Sequence, residues 1–131
     1  MRSLKALFIG VIAVMFIVGC SGNVPARNKT SDINGSFTPA QIEKAIVDAG
    51  TGQGWEMKQV RDGVITGKLI TRQSYVDIRI PYTSSKYTIE YVGSKNLTVS
   101  MDRVPSDYNR WVANIDRDIQ QNLAQQQALY Q

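Results

Sequence analysis

The stretch of sequence that decides the fold is YVDIRIPYTSSKYTIEYV, residues 75–92. Apolar and polar side chains alternate along both of its halves, which are separated by the polar residues 83–86. Because successive side chains of a strand point to opposite faces, the alternation predicts two β-strands, at 75–82 and 87–92, in an antiparallel sheet with one buried and one wet face. The side chains expected on the buried face are Val76, Ile78, Ile80, Tyr82, Tyr87, Ile89 and Tyr91.

Two further strands are predicted immediately upstream, at residues 55–61 and 64–71. The Asp62-Gly63 pair between them is a strong hairpin signal, because both residues tolerate the positive φ of a two-residue turn. Gly67, inside the second of these strands, indicates a bulge or the close approach of a neighbour. The expected sheet is an antiparallel meander of three to four strands, and the sequence leaves open a short additional strand at 97–101.

The first of two predicted helices precedes these strands at residues 39–49. It opens with a capping box, in which Thr38 caps the first turn and the Gln41 side chain returns the hydrogen bond. Gly50 and Gly52 are expected to end it. Apolar side chains recur within it at helical spacing, at Ile42, Ala45, Ile46 and Ala49.

The second predicted helix follows the strands and begins at Ser106 or Asp107, either of which can cap it. The glutamine-rich tail, residues 120–131, is expected to fray, because chain ends are poorly ordered unless they dock. An exposed helix that binds a partner is the alternative for this tail. The apolar stripe of the helix comprises Tyr108, Trp111, Val112, Ile115, Ile119 and Leu123.

The two helices and the sheet predict a single α+β domain at residues 37–131. Each helix has one apolar stripe and the sheet has one apolar face, so the economical arrangement is a two-layer sandwich with both helices on one sheet face. The opposite face of the sheet, which is polar and aromatic, is then left open to solvent or to a partner.

The first 19 residues have the three regions of a secretory signal sequence. Arg2 and Lys5 supply positive charge, residues 6–18 form an apolar core, and a small residue precedes Cys20. The core is shorter than the about 20 apolar residues that cross a bilayer. The tetrapeptide Ile17-Val18-Gly19-Cys20 resembles the lipobox of bacterial lipoproteins. This resemblance implies that the signal peptide, residues 1–19, is removed and that Cys20 is lipidated.

Lipidation of Cys20 implies a cell-envelope protein that is held in a membrane by its acyl chains, palmitate among them, since two or more chains anchor stably. The residue after the cysteine is Ser21 and not an aspartate, the residue that signals retention in the inner membrane. This resembles the enterobacterial pattern for the outer membrane, so the expected location is its inner leaflet, facing the periplasm. Residues 20–36 are rich in Ser, Asn and Gly and predict a flexible tether between lipid and domain.

The composition excludes several classes of chemistry. The chain has no histidine and one cysteine, so acylation of Cys20 leaves no thiol. Ser-His-Asp and Cys-His catalysis, the usual zinc sites and disulfides are thereby excluded. Beyond the signal peptide, thirteen Lys and Arg stand singly against eleven Asp and Glu, without the basic cluster that a nucleic-acid site needs. We therefore expect no enzyme activity, no metal, no cofactor and no nucleic-acid partner.

A second resemblance covers most of the mature domain. The segment Tyr108-Asn109-Arg110-Trp111-Val112, with Ile89-Glu90-Tyr91 and Ser94-Lys95-Asn96-Leu97 upstream, resembles a family of small proteobacterial lipoproteins of unassigned function. The resemblance implies the lipid-anchored location and the fold, and it transfers no catalytic residue.

A cluster of aromatic and amide side chains is the candidate binding site, where the sheet is expected to meet the second helix. Such side chains offer stacking platforms and hydrogen bonds to a glycan or peptide. The alternative is that the aromatic rings fill the core and the asparagines serve turns and caps. The candidate residues are Tyr91, Asn96, Tyr108, Asn109 and Trp111.

The sequence as a whole is interpreted as a non-enzymatic, lipid-anchored module that binds another envelope protein. The exposed sheet face, or a sheet edge with unpaired backbone groups, would be its docking surface. The alternative is a binder of a glycan, a peptide or a small ligand at the candidate cluster, such as an inhibitor of a cell-wall-degrading enzyme. The sequence does not specify the oligomeric state.

Overall fold

The computed structural model describes residues 23–25, 27–71, 74–95 and 103–129. The signal peptide, Cys20, Asn96 and the segment at 97–101 lie outside the described residues, so what was predicted of them stays a prediction. In chain order the elements are β1 (Asn23–Pro25), β2 (Lys29–Asp32), α1 (Pro39–Gly52), β3 (Glu56–Arg61), β4 (Val64–Ile70), β5 (Tyr75–Pro81), β6 (Lys86–Lys95), β7 (Arg103–Pro105) and α2 (Ser106–Leu129).

Five strands form one open antiparallel sheet in the order β2-β6-β5-β4-β3. The two strands predicted from residues 75–92 lie inside the sheet as β5 and β6. At the tip of the β3–β4 hairpin, Gly63 has a φ of 78°, the conformation that the Asp62-Gly63 turn requires. Of the seven side chains predicted to face the core, six are buried and Tyr91 is half-buried. The strand pattern of this region is therefore confirmed.

Both helices pack on the same face of the sheet, which confirms the α+β class and the two-layer sandwich. The helices also pack against each other in antiparallel directions, since Gln126 reaches Gln41 and Asn122 reaches Ala45. Neither described helix combines the length and the apolar character needed to cross a membrane. The largest of the fully buried side chains come from both layers: Ile42, Ile46, Ile65, Val76, Ile78, Ile80, Tyr87, Ile89, Tyr108, Ile115 and Ile119.

The predicted tether at residues 20–36 is wrong for Lys29–Asp32, which forms the edge strand β2 beside β6. The count of three to four strands is wrong for the same reason, because β2 is the fifth strand. Among residues 27–36 only Ile33, which directly follows β2, is buried. The strand itself is polar and mostly exposed, so its sequence has no apolar alternation from which to predict it. Its pairing is supported by a 2.9 Å hydrogen bond between the Thr30 and Thr88 hydroxyls.

Strand β6 is longer than predicted and contains a bulge. Instead of ending at residue 92, it continues through Gly93 and Ser94 to Lys95. Opposite β5, the register shifts between the pairs Asp77–Gly93 and Ile78–Tyr91, so Val92 is the extra residue. Val92 follows Tyr91, which packs against the core, and lies 59 % exposed on the opposite side of the sheet.

The start of α1 is confirmed in detail, and its end is displaced. The Gln41 N–H donates to the Thr38 hydroxyl at 3.2 Å, and the Gln41 side chain accepts from the Thr38 N–H at 2.8 Å. The helix continues past the predicted end at residue 49 to Gly52, because the Gln53 N–H still finds the carbonyl oxygens of the last turn.

The glutamine-rich tail does not fray before Leu129, contrary to the first expectation for it. Its side chains dock on α1 and β2 through amide groups that donate to backbone carbonyls. Asn122 Nδ2 donates to the Ala45 oxygen at 3.0 Å, and Gln126 Nε2 donates to the Gln41 oxygen at 2.8 Å. Leu123, between them, is 3 % exposed. The amide side chains of Asn122 and Gln126, which belong to the tail that was expected to fray, therefore hold the two helices together.

Two glycines form a slot that receives the Met57 side chain. A Cβ atom on Gly50 of α1 would lie 2.3 Å from the Met57 sulfur, and a Cβ atom on Gly67 of β4 would lie 2.8 Å from the same sulfur. Both distances are too short for real contacts, so the thioether fits only because neither residue has a side chain. Of the two readings of Gly67, close approach is the one observed.

A two-stranded ribbon, β1 with β7, stands apart from the main sheet. β1 begins three residues after Cys20, and β7 leads directly into α2. The antiparallel pairing therefore places the beginning of the described chain close to the first turn of α2.

Candidate functional site

The predicted aromatic and amide cluster lies at the N-terminal end of α2, where its described members are brought together as a structural junction. The Tyr91 and Tyr108 rings meet edge to face, with centroids 5.4 Å apart and planes at 79°. The Asn109 side-chain oxygen accepts from the Arg27 N–H at 3.3 Å, which ties α2 to the segment before β2. Trp111 is half-buried and packs against the core. The described members pack against one another and the core and link α2 to the segment before β2, and Asn96 lies outside the described residues.

The Tyr108 hydroxyl is the one buried side-chain oxygen or nitrogen in the described ranges that has no hydrogen-bond partner. The side chain is fully buried, and burial raises the pKa of Tyr108 far above the ordinary tyrosine value. Tyr91, the other ring, directs its hydroxyl to Ser94 at 2.7 Å. A glycan platform needs an accessible ring, so Tyr108 cannot serve as one in this conformation.

A second polar junction joins β2, β6 and α2 around one carboxylate. Asp116 Oδ1 accepts from the Ser31 and the Tyr87 hydroxyls, each at 2.6 Å. Gln120 Nε2 donates in turn to the Tyr87 hydroxyl at 3.0 Å. Burial is the main cause of the raised pKa of Tyr87, and the hydrogen bond to Asp116 is the second cause. The junction holds the edge strand β2 against the helix layer, and its carboxylate is occupied by these donors.

The sheet face opposite the helices, which we call the open face, carries pairs of opposite charge across neighbouring strands. Arg79 Nε lies 2.9 Å from Glu90 Oε1, and Lys68 Nζ lies 3.9 Å from Asp77 Oδ1. The Lys68 ammonium also sits 4.4 Å from the centre of the Tyr75 ring. Exposed pairs of this kind add little stability, about 0–1 kcal/mol each, so their main effect is to pattern the charge of the surface.

Large apolar side chains interrupt this charge pattern at one end of the open face. Ile70 and Val92 are each 59 % exposed, and the Cα partner of Ile70 is Tyr75. A shallow trough of about 450 Å³ lies across β3, β4 and β5, with Lys58, Thr66 and Val92 among its lining residues. The open face thus combines a shallow concavity with an apolar margin.

A deeper cleft, which we call the α1–hairpin cleft, lies where the first turn of α1 meets the β3–β4 hairpin and the β5–β6 turn. Its volume is about 550 Å³, within the range of about 300–1,000 Å³ that is usual for ligand sites. Its lining includes Pro39, Ile42, Glu43, Asp62 and Tyr82. The sequence reasoning missed this site, because its members lie far apart along the chain and no local motif connects them.

Comparisons of the chain with protein-family models, with curated proteins and with solved structures found no match. Within the described ranges, no three residues among His, Cys, Asp and Glu lie close enough together to hold a metal ion. The open face and the α1–hairpin cleft are the two surfaces of the described chain that offer a place for a partner or ligand.

Proposed function

We propose that the chain is a lipid-anchored protein of the bacterial envelope that binds a partner protein through its open face and catalyses no reaction. The observation that carries the proposal is the apolar margin of that face. Ile70 and Val92 are among the few large apolar side chains exposed in the described residues, and Val92 lines a trough to which charged side chains such as Lys58 also contribute. Apolar residues rimmed by polar ones are typical of protein–protein interaction sites.

The proposal assigns the location from the lipobox resemblance at Cys20 and from the Ser21 that follows it. The membrane is the inner leaflet of the outer membrane, and the domain faces the periplasm. Lipidation is tested by metabolic labelling with an alkyne palmitate analogue in cells that express the chain or its Cys20→Ser variant. We expect label and membrane fractionation for the first, and loss of both for the second. A membrane-bound, unlabelled wild-type chain would refute the lipid anchor.

Docking through the open face is tested by photo-crosslinking in cells. A photoreactive residue replaces Tyr75, Arg79 or Thr88 on the open face, and Ala113 or Ala124 on the exposed side of α2 as matched controls. We expect one recurring protein adduct from the open face and none of that mass from α2. Equal adducts from both sides, or none from the open face, would refute the docking surface whether or not the anchor is present.

The arrangement of the candidate cluster favours docking over its alternative, a glycan or peptide groove at Tyr91, Tyr108 and Trp111. A groove needs exposed rings, whereas Tyr108 is fully buried and Trp111 packs on the core. A shift of the Trp111 indole signal on addition of isolated glycan fragments would support the groove at Tyr91, Tyr108 and Trp111 instead.

A further inference from the structure

The α1–hairpin cleft has an apolar floor and acidic walls. Ile42 and Tyr82, on the floor, are 1 % and 8 % exposed, and Pro39 extends the apolar surface. Glu43 from α1 and Asp62 from the hairpin supply two carboxylates, and no Lys or Arg is among the residues that line the cleft. The cleft would repel an anionic ligand. It suits a cationic group on an apolar stem, because the stem can pack on the apolar floor and the cation can pair with the carboxylates.

The two cleft carboxylates differ from most others in the described chain in having no ion-pair partner. Elsewhere Asp48 pairs with Lys44, and Asp107 pairs with Arg110, at about 3 Å. Glu43 and Asp62 form no ion pair with a described residue. Burial is the main cause of the raised pKa of Tyr82, a hydrogen bond from the Gly63 backbone lowers that pKa, and the charges of Glu43 and Asp62 raise it by smaller amounts.

Tyr82 adds an aromatic face and a hydroxyl to this site. Its side chain is more than nine-tenths buried, and its hydroxyl oxygen accepts a 3.4 Å hydrogen bond from Gln59 Nε2. No described residue accepts the proton of that hydroxyl, which leaves it for a ligand carbonyl. A tyrosine ring beside two carboxylates is also a favourable environment for an ammonium group, through cation–π attraction.

We propose that the α1–hairpin cleft binds a lysine side chain presented by a peptide segment of another protein. The aliphatic stem lies on Ile42 and Tyr82, the ammonium group pairs with Glu43 and Asp62, and the Tyr82 hydroxyl donates to a carbonyl of the peptide. The site is separate from the open face, and it does not depend on lipidation or on docking there.

The proposal is tested by nuclear magnetic resonance with the full chain in detergent micelles, following the amide signals of Gly63, Thr83 and Ser84. The probes are the capped tripeptides acetyl-Gly-Lys-Gly-amide and acetyl-Gly-norleucine-Gly-amide, which differ by one ammonium group, and n-butylamine. We expect saturable shifts with the lysine peptide, at least tenfold weaker binding of the norleucine peptide, and weaker binding of the amine.

Two matched double variants decide whether the cleft carboxylates are responsible. Glu43→Gln with Asp62→Asn removes the cleft charge, and Asp32→Asn with Glu56→Gln removes the same charge from exposed carboxylates outside it. We expect the first to weaken binding of the lysine peptide at least tenfold and the second to change it less than twofold, with both spectra remaining those of a folded chain.

Three results would overturn the proposal. Equal binding of the norleucine peptide would mean that the cleft recognises apolar surface without charge. Butylamine binding as tightly as the peptide would assign the cleft to a free amine. Absence of shifts at about 10 mM lysine peptide would mean a dissociation constant above about 10 mM, too weak for a specific site.

Discussion

The slot around Met57 predicts that the effect of Gly50→Ala on the free energy of unfolding changes sign when the Met57 side chain is removed. Replacing Gly50 by alanine in α1 places a methyl group 2.3–2.7 Å from three atoms of the Met57 side chain, which must then leave its position. The same replacement lowers the conformational entropy of the unfolded chain and favours the helix. The two effects oppose each other, and only the first depends on Met57.

The magnitudes follow from the position of Gly50. Overpacking a fitted site costs about 1–3 kcal/mol. Alanine gains up to about 1 kcal/mol over glycine inside a helix, and somewhat less here, because Gly50 is near the end of α1. Gly50→Ala should therefore lower the free energy of unfolding by about 0.5–2 kcal/mol. In a Met57→Ala background it should raise it by about 0.5–1 kcal/mol.

The assay is a double-mutant cycle in urea, followed by far-UV circular dichroism, with Gly52→Ala as the control. A Cβ atom on Gly52 meets nothing within 4 Å, so its effect should be the same in both backgrounds. Independent sites add within about 0.5 kcal/mol. If Gly50→Ala destabilised the chain equally with and without the Met57 side chain, the proposed steric cause would be refuted.

Three other predictions concern the start of α1, the tail of α2 and the response to alkali. Thr38→Ala should lower the free energy of unfolding by about 1 kcal/mol, with Thr38→Ser close to wild type, since the cap needs only the hydroxyl; thermal unfolding measures the difference. Leu123→Ala should lower the free energy of unfolding by about 2–4 kcal/mol, and Leu129→Ala should lower it by less than about 0.5 kcal/mol. The difference is expected because Leu123 is 3 % exposed and Leu129 is 79 % exposed. Equal small effects of the two replacements in urea unfolding would mean that the tail is frayed. The pKa of both Tyr87 and Tyr108 is higher in the folded chain than in the unfolded chain. The stability that this difference contributes is therefore complete below the unfolded pKa of about 10. As the pH rises above that value, the free energy of unfolding falls by about 1.4 kcal/mol per pH unit for each tyrosine. Urea unfolding between pH 9 and 11 should show that Tyr87→Phe reduces this slope, and an unchanged slope would contradict the assignment.

The parts of the fold that the sequence predicted are those in which a residue's neighbours along the chain set its environment. The alternation at residues 75–92 and the capping box at Thr38 and Gln41 act within a few residues, so their patterns can be read directly. The hairpin at Asp62-Gly63 is equally local, since its φ requirement belongs to the turn itself.

The errors arose where a distant partner decided the structure. Strand β2 is polar, and only its place beside β6 makes it a strand, as the Thr30–Thr88 hydrogen bond illustrates. The amides of Asn122 and Gln126 are ordered by carbonyl oxygens of α1, more than seventy residues earlier. For the same reason the α1–hairpin cleft had no sequence signal, whereas the candidate cluster had one.

The pairing of β1 with β7 limits how far the domain can stand from its membrane. Under the proposed anchoring, only Ser21 and Gly22 separate the lipidated Cys20 from Asn23, a span of at most about 10 Å. α2 has 24 residues and is about 36 Å long, so even its far end stays within about 50 Å of the bilayer surface. The protein would therefore search for its partner by lateral diffusion in a thin layer, and a partner that never enters that layer would be out of its reach.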